Sequence, residues 1–458
     1  DISTEEAERI KKIKGVKSAT PNYIMHINLM DSAPLIGATD VWKLDSDGNN
    51  CATSGKECLT GKGVKIGIID TGVDYTHLDL GGCFGNNCKV ADGYDFVNND
   101  NDPMDDHGHG THVAATAGGK GVLQGVAPDA TIYAYKVCDR GGSCSGSAII
   151  GAIEHSVDLN NNKIPCENKN DYLDIISLSL GGPGNPDDSM SKSIDNVAVC
   201  TVAVIAAGNS GPDERTIGSP GTSREAITVG AINKQKIVAS FSSRGPVEWI
   251  DVQGNFQSIM KPDVVAPGVF ICAAQWGKAW DESKCSTLVD EEHVQISGTS
   301  MAAPHVAGAV ALLKQKHPDW SSKDIKSLIK FSADNLNYTT EIQGKGLINV
   351  SKAIAINEKI PEITIKLDKL EFPIQKIIGT AKGISYEIYL SKKQTNLQWI
   401  KLYESSLVVE NSTLYDWDIS SLSNGEYYLK LVVHFPSFSL EDIIVYKNSA
   451  TEITYPLS

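Results

Sequence analysis

Three residues, far apart along the chain, have the side chains that nucleophilic catalysis requires. Ser300 stands between the turn-prone run SGTS and the apolar run MAAPHVAGAVALL, which predicts a hydroxyl at the start of a helix. Unpaired amides and the positive end of the helix dipole favour a reaction that builds negative charge at this position. A serine nucleophile also needs a base, and the base needs an acid that orients it. His109 and Asp70 are the upstream candidates for these roles.

The elements predicted around Asp70 and His109 bring both side chains toward one edge of a sheet. The apolar, β-branched run Val64–Ile69 indicates a buried strand that ends next to Asp70. His109 lies in the glycine-rich run HGHGTH, at the start of a predicted helix. Sites in parallel sheets open at the carboxyl ends of the strands. Ser300 alone would be interpreted as an N-cap serine of a core helix, but the three residues together favour a catalytic site.

Three motifs, in one order, resemble those of a known family. DTGVD begins with Asp70, HGTHVA begins with His109, and GTSMAAPH contains Ser300. This order resembles the subtilases, the subtilisin-like serine proteases, over roughly residues 31–358. The resemblance implies peptide-bond hydrolysis through an acyl-enzyme, with serine as nucleophile, histidine as base and aspartate as orienting acid. It also implies an α/β fold, a mostly parallel sheet with helices on both faces.

The same resemblance implies an oxyanion donor and a side-chain pocket. Asn209 follows the predicted strand Val202–Ala206 and would bind the oxyanion together with the backbone N–H of Ser300. Its local sequence, Gly-Asn-Ser-Gly, alone favours an ordinary turn residue. The walls of the pocket are implied at residues 179–182 and 216–221, with Gly218 at its floor. Neither wall carries a charge, so a large apolar side chain should precede the cleaved bond. The insertions at residues 247–260 and 275–294 lie near the cleft, and the opposing possibility is that they supply an acidic partner such as Asp281 or Glu282. The implied substrate-binding residues are Ser179, Leu180, Gly181, Gly182 and Gly218.

Acidic residues suggest two structural calcium sites. Asp79 matches a carboxylate ligand of the strong calcium site of subtilisin, although the loop that supplies the other ligands is short here. The run NNDNDPMDD offers the hard oxygens that calcium prefers. Its candidate ligands are Asp100, Asp102, Asp105 and Asp106. The alternative is a solvated acidic loop, and the predicted catalysis itself needs no cofactor.

Charge and cysteine content limit the class of protein further. The chain has 458 residues and a formal net charge of -15, which disfavours a nucleic-acid partner because phosphates would be repelled. No apolar run is long enough to span a membrane. All ten cysteines lie between Cys51 and Cys285, mostly in close pairs, which favours disulfides over zinc ligands or reduced thiols. We therefore expect an extracellular or cell-surface protein.

Changes of pattern divide the sequence into three predicted units. Residues 1–28 resemble the last helix and strand of the subtilase propeptide, which implies an inhibitor removed by cleavage near residues 25–31; an N-terminal decoration of the mature enzyme is the alternative. Residues 29–358 form the predicted catalytic domain. Residues 361–458 alternate apolar and polar residues with short turns, typical of an all-β sandwich of the immunoglobulin or fibronectin kind. Since the chain begins at Asp1, we expect it to be a piece of a longer precursor.

The predicted function is that of a secreted serine endopeptidase that acts on proteins or peptides and is made as a zymogen. A catalytically silent binding protein on the same fold is the alternative, and the intact motifs favour the enzyme. A related acid-acting type with a glutamate base is disfavoured by the run HGTHVA.

Overall fold

A parallel sheet lies at the centre of the first part of the chain, in a computed structural model that describes residues 29–285 and 292–448. Its strands are β1 Lys65–Asp70, β2 Val90–Asp95, β3 Thr131–Lys136, β4 Ile175–Leu178, β5 Val202–Ala206, β6 Ile227–Ile232 and β9 Val264–Pro267. Their order in the sheet is β2-β3-β1-β4-β5-β6-β9, and each neighbouring pair is parallel. The predicted propeptide, residues 1–28, lies outside the described residues.

Helices cover both faces of this sheet. They are α1 Leu29–Leu35, α2 Ala38–Val41, α3 Cys51–Ser54, α4 His109–Gly118, α5 Gly146–His155, α6 Ser189–Val197, α7 Thr299–Lys316, α8 Ser322–Ser332, α9 Thr340–Gln343 and α10 Val350–Ile354, with short 3-10 turns at Leu78–Leu80 and Asp281–Ser283. Side chains alternate between the two faces along a strand. Accordingly, Ile66 and Ile68 pack with α4, α7 and α8, whereas Ile69 packs with α5 and α6. The predicted fold class is confirmed.

Antiparallel strands follow α10. They are β12 Thr364–Glu371, β13 Ile374–Ala381, β14 Ser385–Lys392, β15 Ile400–Ser405, β16 Val409–Asp418, β17 Gly425–His434 and β18 Ser439–Asn448. One sheet has the order β12-β13-β16 and the other β15-β14-β17-β18. Ile377 of the first sheet and Leu429 of the second share one hydrophobic core, so the two sheets pack against each other. The predicted domain boundaries themselves stay predictions.

An inserted hairpin, β7 Val247–Ile250 and β8 Phe256–Ile259, connects the two parts of the chain. Ser258 Oγ donates to the carbonyl oxygen of Val445 and accepts from its N–H, both at 2.8 Å. Arg215 forms ion pairs with Glu248 of the hairpin at 2.8 Å and with Glu426 of β17 at 2.7 Å. The C-terminal strands are thereby attached to the segment that precedes the predicted pocket wall at residues 216–221.

Five disulfides use all ten cysteines. Four of them join the close pairs, Cys51–Cys58, Cys83–Cys88, Cys138–Cys144 and Cys272–Cys285. The fifth, Cys166–Cys200, joins the two cysteines that the spacing leaves over. Among the described residues, no helix combines the length and the apolar character needed to cross a membrane.

Candidate active site

Asp70 and His109 meet at the carboxyl edge of the sheet, at the last residue of β1 and the first of α4. Nδ1 of His109 lies 2.8 Å from Oδ1 of Asp70; the aspartate side chain is buried, and 21% of the histidine side chain is exposed. Burial alone would lower the pKa of His109, but the charge and hydrogen bond of Asp70 outweigh it and raise the pKa above its ordinary value. The carboxylate can therefore orient the ring and stabilise its protonated form.

Glycine allows the helix to come this close to the strand. A Cβ on Gly110 would lie 2.1 Å from the carbonyl oxygen of Gly72, and the Gly110 N–H donates to Thr71 Oγ1 at 2.9 Å. Gly108, which precedes His109, has a φ of 105° that other residues rarely adopt. The glycine spacing of the motif thus has a direct role in placing His109 next to Asp70.

One buried carboxylate, that of Asp105, holds the start of α4. Asp105 accepts five hydrogen bonds of 2.6 to 3.0 Å, from the N–H groups of His107, Gly108 and Thr111 and from the hydroxyls of Thr71 and Thr111. The carboxylate thus satisfies amides that the first turn of a helix leaves unpaired. Sequence reasoning missed this role, although an aspartate shortly before a predicted helix is a capping signal.

Ser300 is the second residue of α7. Its Oγ donates to the carbonyl oxygen of Ser179 at 3.1 Å, and Ser179 Oγ donates in turn to the Ser300 carbonyl oxygen at 2.8 Å. These bonds join the start of α7 to the residues that follow β4. The hydroxyl of Ser300 is therefore engaged with Ser179 and not with His109, and loose nucleophile–base contacts are common without a substrate.

Asn209 contacts the start of the same helix. Its Oδ1 accepts from the N–H of Thr299 at 2.9 Å and from the Thr299 hydroxyl at 3.1 Å. Within the described part of the chain, Nδ2 of Asn209 has no hydrogen-bond acceptor. Because the carbonyl end of the amide is fixed, the exposed N–H end is available to a negatively charged oxygen beside Ser300. The sequence did not single out Thr299, whose only signal is its place next to Ser300.

The two predicted pocket walls are paired with each other. Gly182 donates to the carbonyl oxygen of Ser219 at 2.9 Å, and Ser219 donates to that of Gly182 at 2.8 Å. A Cβ on Gly218 would lie 2.6 Å from the Gly182 carbonyl oxygen, so glycine at this position lets the walls meet. Leu180 is partly buried beside them, and Gly181 is exposed.

A second insertion lies on the histidine side of the site. It runs between β10 Ile271–Ala274 and β11 His293–Ile296, and the disulfide Cys272–Cys285 closes its described part. The ring of Trp280 lies 5.5 Å from that of His107, and a Cβ on Gly108 would lie 2.9 Å from the Cβ of Ala279. The insertion therefore packs against the loop that leads into the candidate base.

Two neighbouring histidines have structural positions. His112 Nε2 lies 2.9 Å from the carbonyl oxygen of Ile271, and burial lowers the pKa of His112 to about 3. His305 Nδ1 lies 2.7 Å from the carbonyl oxygen of Met301, and burial lowers the pKa of His305 to about 4. Both stay neutral at neutral pH and are enclosed by protein, so neither is a candidate base.

Protein groups already bind most oxygens of the predicted calcium ligands, and calcium binding by these residues stays a prediction. Asp79, which is buried, accepts from Nε2 of His293 and from the N–H of Val122, both at 2.7 Å. Asp106 pairs with Lys136. The other contacts are a 2.7 Å hydrogen bond from Tyr75 to Asp102, a 2.9 Å bond from the Asp102 N–H to Asp100, and the five bonds to Asp105. The described residues contain no cluster of three or more suitable side chains for a metal.

We expect Asp105→Asn to lower the free energy of unfolding by about 1–3 kcal/mol, because buried donors lose an acceptor. Peptidase activity should fall with it, since the loop before His109 is no longer held. Urea unfolding would be measured in calcium and in chelator, with Asp102→Asn as the exposed control on the same loop. Equal losses in both buffers are expected; a loss confined to the calcium buffer would instead mean that Asp105 binds the ion.

A parallel α/β sheet with an aspartate–histidine pair at its carboxyl edge, near a helix whose second residue is a serine, is the arrangement of a serine peptidase of the α/β type. Residues 61–346 match the model of the subtilase family. The chain belongs to this family, and it is a serine endopeptidase.

Three sequence relatives agree with this assignment, and one solved structure is reported beside them. The serine protease AprX of Bacillus subtilis (strain 168) is 36% identical over 318 residues, which are 65% of this chain and 67% of AprX. Subtilisin DY of Bacillus licheniformis is 37% identical over 300 residues, 64% of this chain and 91% of that protein. The minor extracellular protease Vpr of Bacillus subtilis (strain 168) is 29% identical over 77% of this chain, which spans 59% of Vpr. The crystal structure of a cold adapted subtilisin-like serine proteinase is 28% identical and covers 63% of this chain and 88% of its own, with a TM-score of 0.48.

Proposed function

We propose that this chain hydrolyses peptide bonds with Ser300 as nucleophile, His109 as general base, Asp70 as its orienting acid and Asn209 as oxyanion donor. The observation that carries the proposal is the 2.8 Å hydrogen bond between His109 Nδ1 and Asp70. An imidazole bound through Nδ1 has Nε2 available to take a proton. The alternative, a silent binding protein on the same fold, has no observation in its favour.

The reaction proceeds in two stages. Ser300 Oγ leaves the carbonyl of Ser179 and attacks the substrate carbonyl carbon while Nε2 of His109 takes its proton. The resulting oxyanion is bound by the Ser300 N–H and by Nδ2 of Asn209. His109 then protonates the leaving amine as the C–N bond breaks, which leaves an acyl-enzyme. His109 then deprotonates a water molecule, which attacks this ester. The acyl C–O bond breaks, His109 returns the proton to Ser300 Oγ, and the acid product leaves.

Covalent labelling with a serine-directed fluorophosphonate at neutral pH tests the proposal. We expect one label per chain, and peptide mapping should locate it on Ser300, because the reagent reacts only with an activated serine. The denatured chain is the control for unspecific reaction. A native chain that stays unlabelled, or a label on another residue, would support the silent alternative or a different nucleophile.

The donor role of Asn209 predicts a defined kinetic loss. Asn209→Ala should lower kcat by about 10²–10³-fold with little change in KM, the loss found in subtilisin when one oxyanion donor is removed. The exposed Asn170, which has no place in the proposed reaction, provides Asn170→Ala as the matched control. Steady-state hydrolysis of a chromogenic peptide measures both. A variant with unchanged kcat would remove Asn209 from the oxyanion site.

The pocket walls at 179–182 and 216–221 predict the preferred substrate. A large apolar side chain on the amino side of the cut should be favoured over alanine by roughly 1–3 kcal/mol in kcat/KM, and an unpaired lysine should be disfavoured. Asp188, beside the second wall, accepts from Ser219 Oγ at 3.0 Å, and Asp281 of the second insertion pairs with Lys284 at 3.0 Å. Peptides that differ only in Phe, Leu, Ala or Lys at this position measure the preference; a clear preference for Lys would contradict it.

The remaining parts of the predicted function concern processing and location. Residues 1–28 are the C-terminal part of an inhibitor propeptide, which is cleaved on activation, and residues 29–358 and 361–458 are the catalytic and accessory domains. Proteins or peptides are the substrates. The chain acts outside the cell or at its surface, which the five disulfides support because such bonds persist in oxidising compartments.

A further inference from the structure

A cavity of about 840 Å³ lies between the α/β part of the chain and the C-terminal strands. α8 and the β7–β8 hairpin line it from the first part, and β12 and the start of β18 line it from the second. None of its lining residues belongs to the candidate active site. Its volume is in the range of ligand pockets, about 300–1,000 Å³, and such pockets occur preferentially at interfaces between domains.

The lysines that line this cavity outnumber the carboxylates that contact them. Lys326 and Lys330 of α8 each lie 3.6 Å from Oδ1 of Asp263. The Asp263 carboxylate, which is buried, is also bound by Lys261 at 2.6 Å. Lys345 donates to a backbone carbonyl oxygen at 2.7 Å, and among the described residues no carboxylate forms an ion pair with it. Three ammonium groups thus share the Asp263 carboxylate, and Lys345 is bound through a backbone carbonyl oxygen.

The other acidic residues close to Lys345 have partners of their own. Glu441 Oε1 lies 3.6 Å from Lys430, and Asp442 accepts from the N–H groups of Ile365 and Ile443, both at 3.1 Å. An ammonium group has three donors, and within the described part of the chain that of Lys330 makes no polar contact shorter than 3.6 Å. The lining as a whole carries eight acidic and seven basic side chains, so the excess of cationic donors is local to Lys330 and Lys345.

Apolar side chains supply much of the remaining lining. They include Met260, Phe331, Ile360, Ile363 and Leu440. Phe331, next to Lys330 on α8, leaves 38% of its surface exposed. A pocket that combines apolar walls with a few convergent polar groups is suited to a ligand with one charged end and an apolar body.

We propose that this cavity binds a small anionic amphiphile, a monocarboxylate with an alkyl tail. Its carboxylate is held by Lys326, Lys330 and Lys345, and its tail lies against the apolar lining. A ligand of this kind neutralises cations whose partial burial is otherwise costly. Because it contacts α8 and β18 together, it also stabilises the attachment of the C-terminal strands.

Calorimetric titration of the full chain with decanoate, kept below its micelle concentration, tests the proposal independently of peptidase activity. We expect saturable binding of one decanoate per chain and a rise in Tm. Decanol has the tail without the charge and acetate has the charge without the tail, so both should bind at least tenfold more weakly.

Variants locate the site. Lys330→Gln together with Lys345→Gln should weaken decanoate binding at least tenfold, and Lys330→Gln alone is the milder variant if the pair proves unstable. Lys382→Gln removes an exposed lysine that pairs with Glu410, outside the cavity, and should bind decanoate as the parent does. The proposal is overturned if decanoate does not saturate, if decanol binds as tightly, or if the Lys330 variants keep the parent's affinity.

Discussion

Replacing Ser300 with alanine is expected to lower kcat by about 10⁶-fold, as large an effect as loss of the histidine base would have. The magnitude is that of subtilisin, in which loss of the catalytic serine costs about 2 × 10⁶. The reason is that no acyl-enzyme can form without the hydroxyl, while the oxyanion donors and the binding surface remain. KM should change little, because Ser300 Oγ contacts the substrate only as the bond forms.

The matched control is Ser297→Ala, three residues earlier. The hydroxyl of Ser297 accepts from the N–H of Phe270 at 2.8 Å and has no place in the proposed reaction. This variant should keep its activity within about tenfold. The two variants and the parent are compared in hydrolysis of a chromogenic peptide. Active-site titration gives the concentration of active parent enzyme. If Ser300→Ala retains more than about one hundredth of the parent's kcat, Ser300 is not the nucleophile.

Replacing Asp70 with alanine is expected to lower kcat by about 3 × 10⁴-fold, again the scale known from subtilisin. The parent should lose activity as the pH falls through the pKa of His109, which Asp70 holds above its ordinary value, because only the neutral ring can accept a proton. Without the carboxylate, burial remains and lowers the pKa. The residual activity of the variant should therefore persist to lower pH than that of the parent.

The profile of kcat/KM against pH measures this shift. Asp74→Asn removes a carboxylate from the same motif that accepts from Thr76 and does not contact His109, so its acid limb should match that of the parent. An unchanged acid limb in Asp70→Ala would mean that Asp70 does not control the titration of His109. A kcat close to that of the parent would remove Asp70 from the catalytic group.

The candidate catalytic residues could be predicted because each stands beside an element with a clear pattern. The apolar run before Asp70 predicts a strand over Val64–Ile69. The observed β1, Lys65–Asp70, has the same length and lies one residue further along the chain. β2 was not predicted, because its sequence VADGYD has few apolar residues. Asp95, at its end, is buried only because its carboxylate accepts from the N–H groups of Val97 and Asn98, at 2.7 and 2.8 Å. A carboxylate that is buried because backbone N–H groups bind it leaves no periodic pattern in the sequence.

The contacts of the predicted calcium ligands could not be predicted from the sequence for a related reason. A run of aspartates shows that oxygens are available, but it does not show which donors the fold brings to them. Thr71 donates to Asp105 from 34 residues away, and His293 donates to Asp79 from 214 residues away. Both donors come from other elements, so only the tertiary structure distinguishes a satisfied carboxylate from a metal ligand.

Local sequence patterns could not predict the role of the insertion at residues 247–260 either. The sequence marks it as extra material near the cleft, and it forms a hairpin that docks on β18 through Ser258. Its partner, Val445, is 187 residues away. Contacts of this kind depend on how two cores meet, which neither propensity nor spacing encodes.

The five disulfides have a consequence for the lifetime of the enzyme. A peptidase in solution is surrounded by copies of itself, and exposed loops are the preferred places for a cut. Four of the bridges close loops between cysteines 5 to 13 positions apart. A single cut inside such a loop leaves both new ends covalently attached, so no fragment is released. The loop closed by Cys272–Cys285, which holds Trp280 against His107, can therefore be nicked by autolysis without being shed.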